Sequence, residues 1–262
     1  MSAGRFRVGL PSLALPSLVL LFLAALSGPP PASGGPAPQA VLAEDFDALP
    51  GSAPADWHPV TFGRRTPTQY TVVEEDGRTA LRAVSDRSAS SLVWQREFDP
   101  RTLRKLSWEW KISGILAEGD ETQNDREDLP ARVMVLFPFE PERASLWERL
   151  AYQLLRLRYE DEPPGEALVY AWSNRAAPGT WHTSTHTERV SILALESGDA
   201  LARRWVMAMR DIAADYEARF GRPVPSSARI AVMVDTDDTH ANTVTWFDSF
   251  RLMPAQATAQ AR

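Results

Sequence analysis

The sequence predicts an all-β protein: an antiparallel β-sandwich of jelly-roll type, with one inserted amphipathic helix over about 142–159 and one short helix over about 212–220. Three observations lead there. Short segments alternate apolar and polar residues, most clearly Leu106-Ser107-Trp108-Glu109-Trp110-Lys111-Ile112. Turn-forming clusters separate them, as in Glu75-Asp76-Gly77, Asp99-Pro100 and Glu196-Ser197-Gly198-Asp199. Alternation also leaves one face of each sheet wet, which suits antiparallel pairing rather than a doubly wound parallel sheet.

From the N-terminus, residues 1–27 have the form of an export signal. Arg5 and Arg7 precede the apolar run Leu18 to Leu26, and Ala25-Leu26-Ser27 offers a small-x-small cleavage site. That run is shorter than the roughly 20 apolar residues a spanning helix needs, so no stable membrane span is expected after cleavage. The mature protein is therefore expected in the periplasm or outside the cell. Residues 28–40 are rich in Pro, Gly and Ala and read as a linker, 41–254 as one β-sandwich domain, and 255–262 as a featureless tail.

Within the domain, strands are expected over 69–74, 79–84, 91–98, 106–112, 131–137, 168–172, 189–195, 205–209, 230–234 and 243–251. Trp108, Trp110, Trp205 and Trp246 fall on alternating positions and are expected in the core. Pro141 to Tyr159 carries Leu146, Leu150, Leu154 and Leu157 as one stripe, flanked by Trp147 and Leu155, with charged residues around the rest. Such a helix packs over a sheet edge, closes as a lid, or lies on a membrane or partner. The shorter helix, Ile212 to Phe220, has Asp211 to cap it and Gly221 to end it.

Composition narrows the function. There is no cysteine, which removes thiol chemistry, disulfides and a cysteine-linked lipid anchor. The net charge of −6 becomes −8 once Arg5 and Arg7 leave with the signal, which argues against nucleic acid as a partner. The chain carries no Gly-x-Ser-x-Gly elbow, phosphate-binding glycine loop, dinucleotide fingerprint or His-Glu-x-x-His. No organic cofactor is expected, and the sequence does not specify an oligomeric state.

Several blocks, taken in order, resemble a known family. They are the acidic loop from Asp120 followed by Ala131-Arg132-Val133, then Val169-Tyr170-Ala171-Trp172-Ser173-Asn174, Glu196-Ser197-Gly198, Trp205, Arg210 to Tyr216 with Phe220-Gly221, and Asp235-Thr236-Asp237-Asp238-Thr239. Together they are similar to a family of exported bacterial proteins catalogued as a domain of unknown function, number three thousand and forty-seven of its series. The resemblance implies an exported β-sandwich and supplies no activity. The chain departs from the family pattern at Asp238, where Asn is usual, and in most of the 142–160 helix, which the family lacks. Its opening Glu-Asp-Phe-Asp and closing Trp-Phe-Asp-Ser-Phe also look like carbohydrate-binding jelly rolls.

The densest chemistry lies at Asp235-Thr236-Asp237-Asp238-Thr239-His240, just after the apolar strand Ile230 to Val234. Carboxylates this close repel unless a cation, an arginine or water separates them. Asp235, Asp237 and Asp238, joined by Asp120 and Asp128 from the acidic loop, would suit calcium, which takes six to eight oxygens. The same residues also suit a metal-free polar site or solvated turns. A second cation position would join Asp248 to Glu44 or Asp45, between the first and last strands. His182, His186 and His240 could hold zinc only if all three met. Arg132 is placed to pair with one of the aspartates.

For a ligand, Arg132, Trp172, Trp181 and His240 are the candidate contacts, with Trp57 and Tyr70 as further stacking surfaces. The leading expectation is a non-catalytic module binding a glycan or another envelope component. The alternatives are a glycoside hydrolase or polysaccharide lyase, using Asp235 or Asp237 with a carboxylate from 120–128, and a structural envelope scaffold that uses the 142–159 helix.

Overall fold

A computed structural model describes residues 42–156 and 163–255. The expected signal, the linker and nearly all of the tail lie outside the described residues. The architecture is a β-sandwich of two sheets. Strands β1 (Leu42–Glu44), β3 (Gln69–Glu75), β4 (Arg78–Asp86), β6 (Lys105–Ile112), β11 (Val206–Asp211) and β13 (Asn242–Met253) form one sheet, in the order β11-β6-β13-β4-β3, with β1 added to β13. Strands β2 (Trp57–Thr61), β5 (Ala89–Trp94), β7 (Ala131–Phe137), β8 (Glu166–Ser173), β9 (Trp181–Thr183), β10 (Val190–Ser197) and β12 (Arg229–Asp235) form the other, in the order β2-β5-β12-β7-β8-β10-β9. No helix among the described residues is long and apolar enough to cross a membrane.

Among the described residues, every strand pair is antiparallel except β8 with β10, which run parallel. The exception follows from β9, which pairs with the outer side of β10 and so makes the connection from β8 a crossover. β1, β2 and β9 were not expected from sequence. They are edge pieces of 3, 5 and 3 residues, too short to show a period.

Aromatic contacts bridge the sheets. Trp108 of β6 stacks on Tyr170 of β8 at 5.5 Å, and Trp110 meets Trp172 at 5.8 Å. Trp57 stacks on Trp94 at 5.8 Å, so it belongs to the core and is not a surface platform. Burying each such side chain contributes about 1.5–3 kcal/mol, with up to about 1 kcal/mol more from ring geometry.

Trp205 and Trp246 overturn the simple alternation argument. β13 turns Thr243, Thr245 and Phe247 inward, leaving Val244 and Trp246 half-buried on the outer face. A bulge between Asp248 and Arg251, with Ser249 at φ 55°, then resets the phase so that Phe250 and Leu252 also point inward. Lys111 lies between the two outer indoles, its Nζ 4.6 Å from the Trp246 ring and 5.5 Å from that of Trp205.

The expected 142–159 helix is divided. A 3-10 turn, Pro141–Arg143, is broken at Ala144, whose backbone is extended, and α1 begins at Leu146 and is described to Arg156. Tyr152 holds α1 down by stacking on Phe139 at 4.0 Å. Leu146, Trp147 and Leu150 are not packed over a sheet edge but exposed. The second helix, α2 (Ile212–Phe220), has the expected caps: Asp211 accepts from the Ala214 amide at 3.0 Å, and Gly221 closes the end at φ 67°.

Candidate functional site

Strand register builds the site. β7 and β12 pair antiparallel with Arg132 opposite Met233, so the start of β7 lies beside the end of β12. That brings the loop before Ala131 against Asp235 to His240.

Asp235 is the buried anchor. One carboxylate oxygen accepts from the Leu129 amide at 3.0 Å and from the Arg132 guanidinium. Arg132 also donates to the Glu127 carbonyl at 2.6 Å. Burial pushes the Asp235 carboxyl up to about 6, opposed by the Arg132 charge and assisted by that of Asp128. Asp128 is fully buried. Its Oδ2 accepts from the Thr239 amide and hydroxyl, both at 2.7 Å, while its Oδ1 is shielded from solvent and has no hydrogen bond among the described residues. Asp237 pairs with Arg65. Asp128, Asp235 and Asp237 offer oxygens that all lie within 4.8 Å of one another. Asp238 sits at the rim, its carboxyl raised by partial burial and by the charges of Asp128 and Asp237.

The acidic loop is only partly in this cluster. Asp120 bonds within its own turn, to the Thr122 amide at 3.0 Å and to Gln123 at 2.6 Å; these bonds hold its carboxyl down at about 2. It therefore leaves the expected cation set. Glu121 and Glu127 act as staples instead. Glu121 accepts from Ser173 and from the Asn174 amide, and Glu127 from Ser184 and the Thr185 amide at 2.6 Å each. Asn174 ties the loop further, accepting from the Leu116 amide and donating to the Asp128 carbonyl, both at 2.8 Å. Gly119 is required beneath it, since a Cβ there would meet Asn174 Nδ2 at 2.2 Å.

The remaining candidates separate. Trp172 is in the core and donates to the Gly198 carbonyl at 3.1 Å, so it cannot line a ligand cleft. Arg132 is consumed by its pair with Asp235. Trp181 is half-buried with Arg219 5.1 Å from its ring, and Tyr70 is tied through its hydroxyl to the Ser90 carbonyl at 2.7 Å. His240 is exposed with φ 54°. No group of histidines converges among the described residues, so the zinc reading is not supported. His182 is half-buried near Glu121 and Glu127, and burial lowers its pKa.

The second cation position also disperses. Asp248 pairs with Arg78 at 3.4 Å and accepts from the Ser249 amide, Glu44 accepts from the Phe46 amide and the Trp57 indole, and Asp45 pairs with Arg251.

Sequence reasoning missed a buried hydroxyl layer beneath Asp235. Thr236 bonds Ser85 at 2.9 Å, Ser85 bonds Ser88 at 2.8 Å, and Thr68 donates to the Val234 carbonyl at 2.8 Å. The dense Ser88-Ala89-Ser90-Ser91 run in an otherwise apolar strand was the available signal.

Residues 55–251 match a sequence family described as "Protein of unknown function (DUF3047)". No curated protein matches the chain. Among solved structures, the chain is similar to the CBM22-1 xylan-binding domain of Paenibacillus barcinonensis Xyn10C, at 11% identity and TM-score 0.36, covering 86% of this chain and 100% of that one. It is also similar to a family 30 carbohydrate-binding module from Clostridium thermocellum, at 13% identity and TM-score 0.39, covering 83% and 100%. A third likeness is to the family GH12 endoglucanase 3 of Trichoderma harzianum, at 9% identity and TM-score 0.36, covering 82% and 97%.

Proposed function

The chain belongs to the DUF3047 family, whose description assigns no activity, and from the site itself we propose a non-catalytic, exported ligand-binding β-sandwich whose loop end is organised by a hard divalent cation. Asp128, Asp235 and Asp237 hold the ion, and the ligand is a glycan or another envelope component. The observation that carries the cation is the fully buried Asp128, whose Oδ1 has no hydrogen bond among the described residues and lies in a carboxylate cluster. An orphaned buried carboxylate oxygen is costly and calls for a positive partner.

Geometry and charge favour calcium. Calcium binds oxygen at about 2.3–2.6 Å, so ligands on opposite sides of the ion stand about 4.6–5.2 Å apart. The three carboxylates converge to within 4.8 Å. Four aspartates, counting Asp238, face two guanidinium groups, Arg132 and Arg65, leaving an excess of two negative charges. One divalent ion balances them.

The same burial argues against hydrolysis. A glycosidase needs two carboxyl groups flanking a sugar across an accessible cleft, about 5–9.5 Å apart. Here two of the three are sealed by Leu129, Arg132 and Thr239. Thermal unfolding in calcium and then in chelator tests the reading. Calcium at about 100 times its Kd adds about 2.7 kcal/mol, or roughly 5–10 °C for a domain of this size. Coincident midpoints with and without calcium sink the cation.

A further inference from the structure

A sheet ends in a strand whose outer amides and carbonyls lack a partner, and such an edge pairs with another chain unless something blunts it. Most edges of this sandwich are blunted. β2 carries Pro59 at its centre, β3 carries Glu74 and Glu75, and β1 and β9 have three residues each. β11 differs. It ends its sheet with β6 as its sole strand partner among the described residues. It has six residues, no proline and no bulge against β6. No backbone hydrogen bond among the described residues reaches it from the side away from β6.

The side chains of β11 leave the edge equally open. On its outer face Met207 is 68% exposed and Met209 is 52% exposed. Its two charges are turned to their own chain. Arg210 holds Asp215, while Asp211 caps α2 and pairs with Lys105 at 3.0 Å. Neither serves to repel an incoming strand.

We propose that β11 pairs antiparallel with β11 of a second copy of this chain, joining two sheets into one across a two-fold axis. A strand that meets itself about such an axis must be self-complementary. The period of two allows only registers that keep outer-face residues opposite outer-face residues. With the axis at Ala208, Met207 faces the partner's Met209, the reverse pair forms by symmetry, and Val206 faces the partner's Arg210. No like charges meet in this register. With the axis at Met209 instead, Met207 faces the partner's Asp211, an apolar side chain against a carboxylate. Unbranched, polarizable methionines suit the first arrangement. An unrelated strand would meet the same bare backbone, but a second copy supplies the matching methionines by symmetry. A strand of six residues is about 20 Å long, so pairing it covers less than the roughly 800 Å² per partner of a stable interface. The dimer is therefore reversible and forms at high concentration. It uses none of the aspartates of the cation cluster.

Sedimentation velocity of the protein from about 5 to about 500 µM tests the pairing. A monomer–dimer equilibrium is expected. Met207→Lys combined with Met209→Lys sets lysine against lysine twice, and is expected to weaken the dimer by about tenfold or more. Met207→Lys combined with Met209→Glu sets lysine against glutamate in the same register, and is expected to hold the dimer within about threefold of wild type. Both positions are exposed, and circular dichroism checks that each variant is folded. A monomer at every concentration overturns the proposal. A dimer that the two lysines leave unchanged also overturns it, because the interface then lies elsewhere. Loss of the dimer in both double variants does the same, because opposite charges in the proposed register would have preserved it. Amides of β11 equally protected from hydrogen exchange at both ends of the concentration range overturn it too, since the edge would then have no partner to gain.

Discussion

Replacing Asp128 by Asn separates the two forces at the aspartate cluster. Asn keeps a side-chain oxygen to accept from the Thr239 amide and hydroxyl, so the local hydrogen bonds survive. What changes is one negative charge among carboxylates within 4.8 Å. At that separation, with an effective dielectric of about 20, each like-charge pair costs about 3.5 kcal/mol. Attraction to Arg132 and Arg65 offsets most of it, so the expected net gain without cation is on the order of 1 kcal/mol, about 2–4 °C in midpoint. The same change removes an ion ligand. In calcium the variant is therefore expected to lose the wild-type rise of roughly 5–10 °C. Differential scanning calorimetry of both proteins, in chelator and in calcium, reads all four midpoints. A variant less stable in chelator, with an undiminished calcium response, would refute the reasoning, because Asp128 would then be a structural acceptor only.

Other expectations follow from the same geometry. Arg132→Ala leaves Asp235 buried without its cation and is expected to cost about 3–5 kcal/mol by denaturant titration; a loss below about 1 kcal/mol would mean that the pair is solvated. Gly119→Ala forces Asn174 away from the Leu116 and Asp128 backbones, costing about 1–3 kcal/mol and blunting the calcium response. Trp110→Ala empties the inter-sheet core and is expected to cost about 3–5 kcal/mol without altering the calcium increment. Asp235 also predicts a pH dependence. Its folded carboxyl, near 6, lies above the ordinary value of 3.8, so the folded state holds this proton more tightly than the unfolded one. In chelator this contribution is complete below about pH 4 and fades as pH rises through 6. A wild-type minus Asp235→Asn stability difference that stays flat from pH 4 to 7 would contradict it.

Much of the fold was legible because it depends on neighbours in sequence. Strand β7 over 131–137 and helix α2 over 212–220 have their expected bounds, since period two and the Asp211 and Gly221 caps are local signals. The inserted helix was legible in kind but not in extent, because the extended backbone at Ala144 interrupts it. The site was legible as a place. That Asp128 joins it while Asp120 does not depends on which side chains find a partner nearer at hand, and Asp120 is satisfied within its own turn.

Alternation states which side chains share a face, and it placed Trp108 with Trp110 correctly. It does not say which face meets the other sheet. Trp246 obeys the same period and looks outward, because the bulge at Ser249 shifts the phase of β13, and Trp205 stands just before the edge strand β11 with its ring beside Lys111 on that outer side. One residue of register reverses every side chain, and only packing against a second layer chooses the sign. The aspartates follow the same rule. Their charge density could be read along the chain, but Asp128 and Asp235 are brought together by β7 pairing with β12, a contact between distant segments that no local pattern encodes.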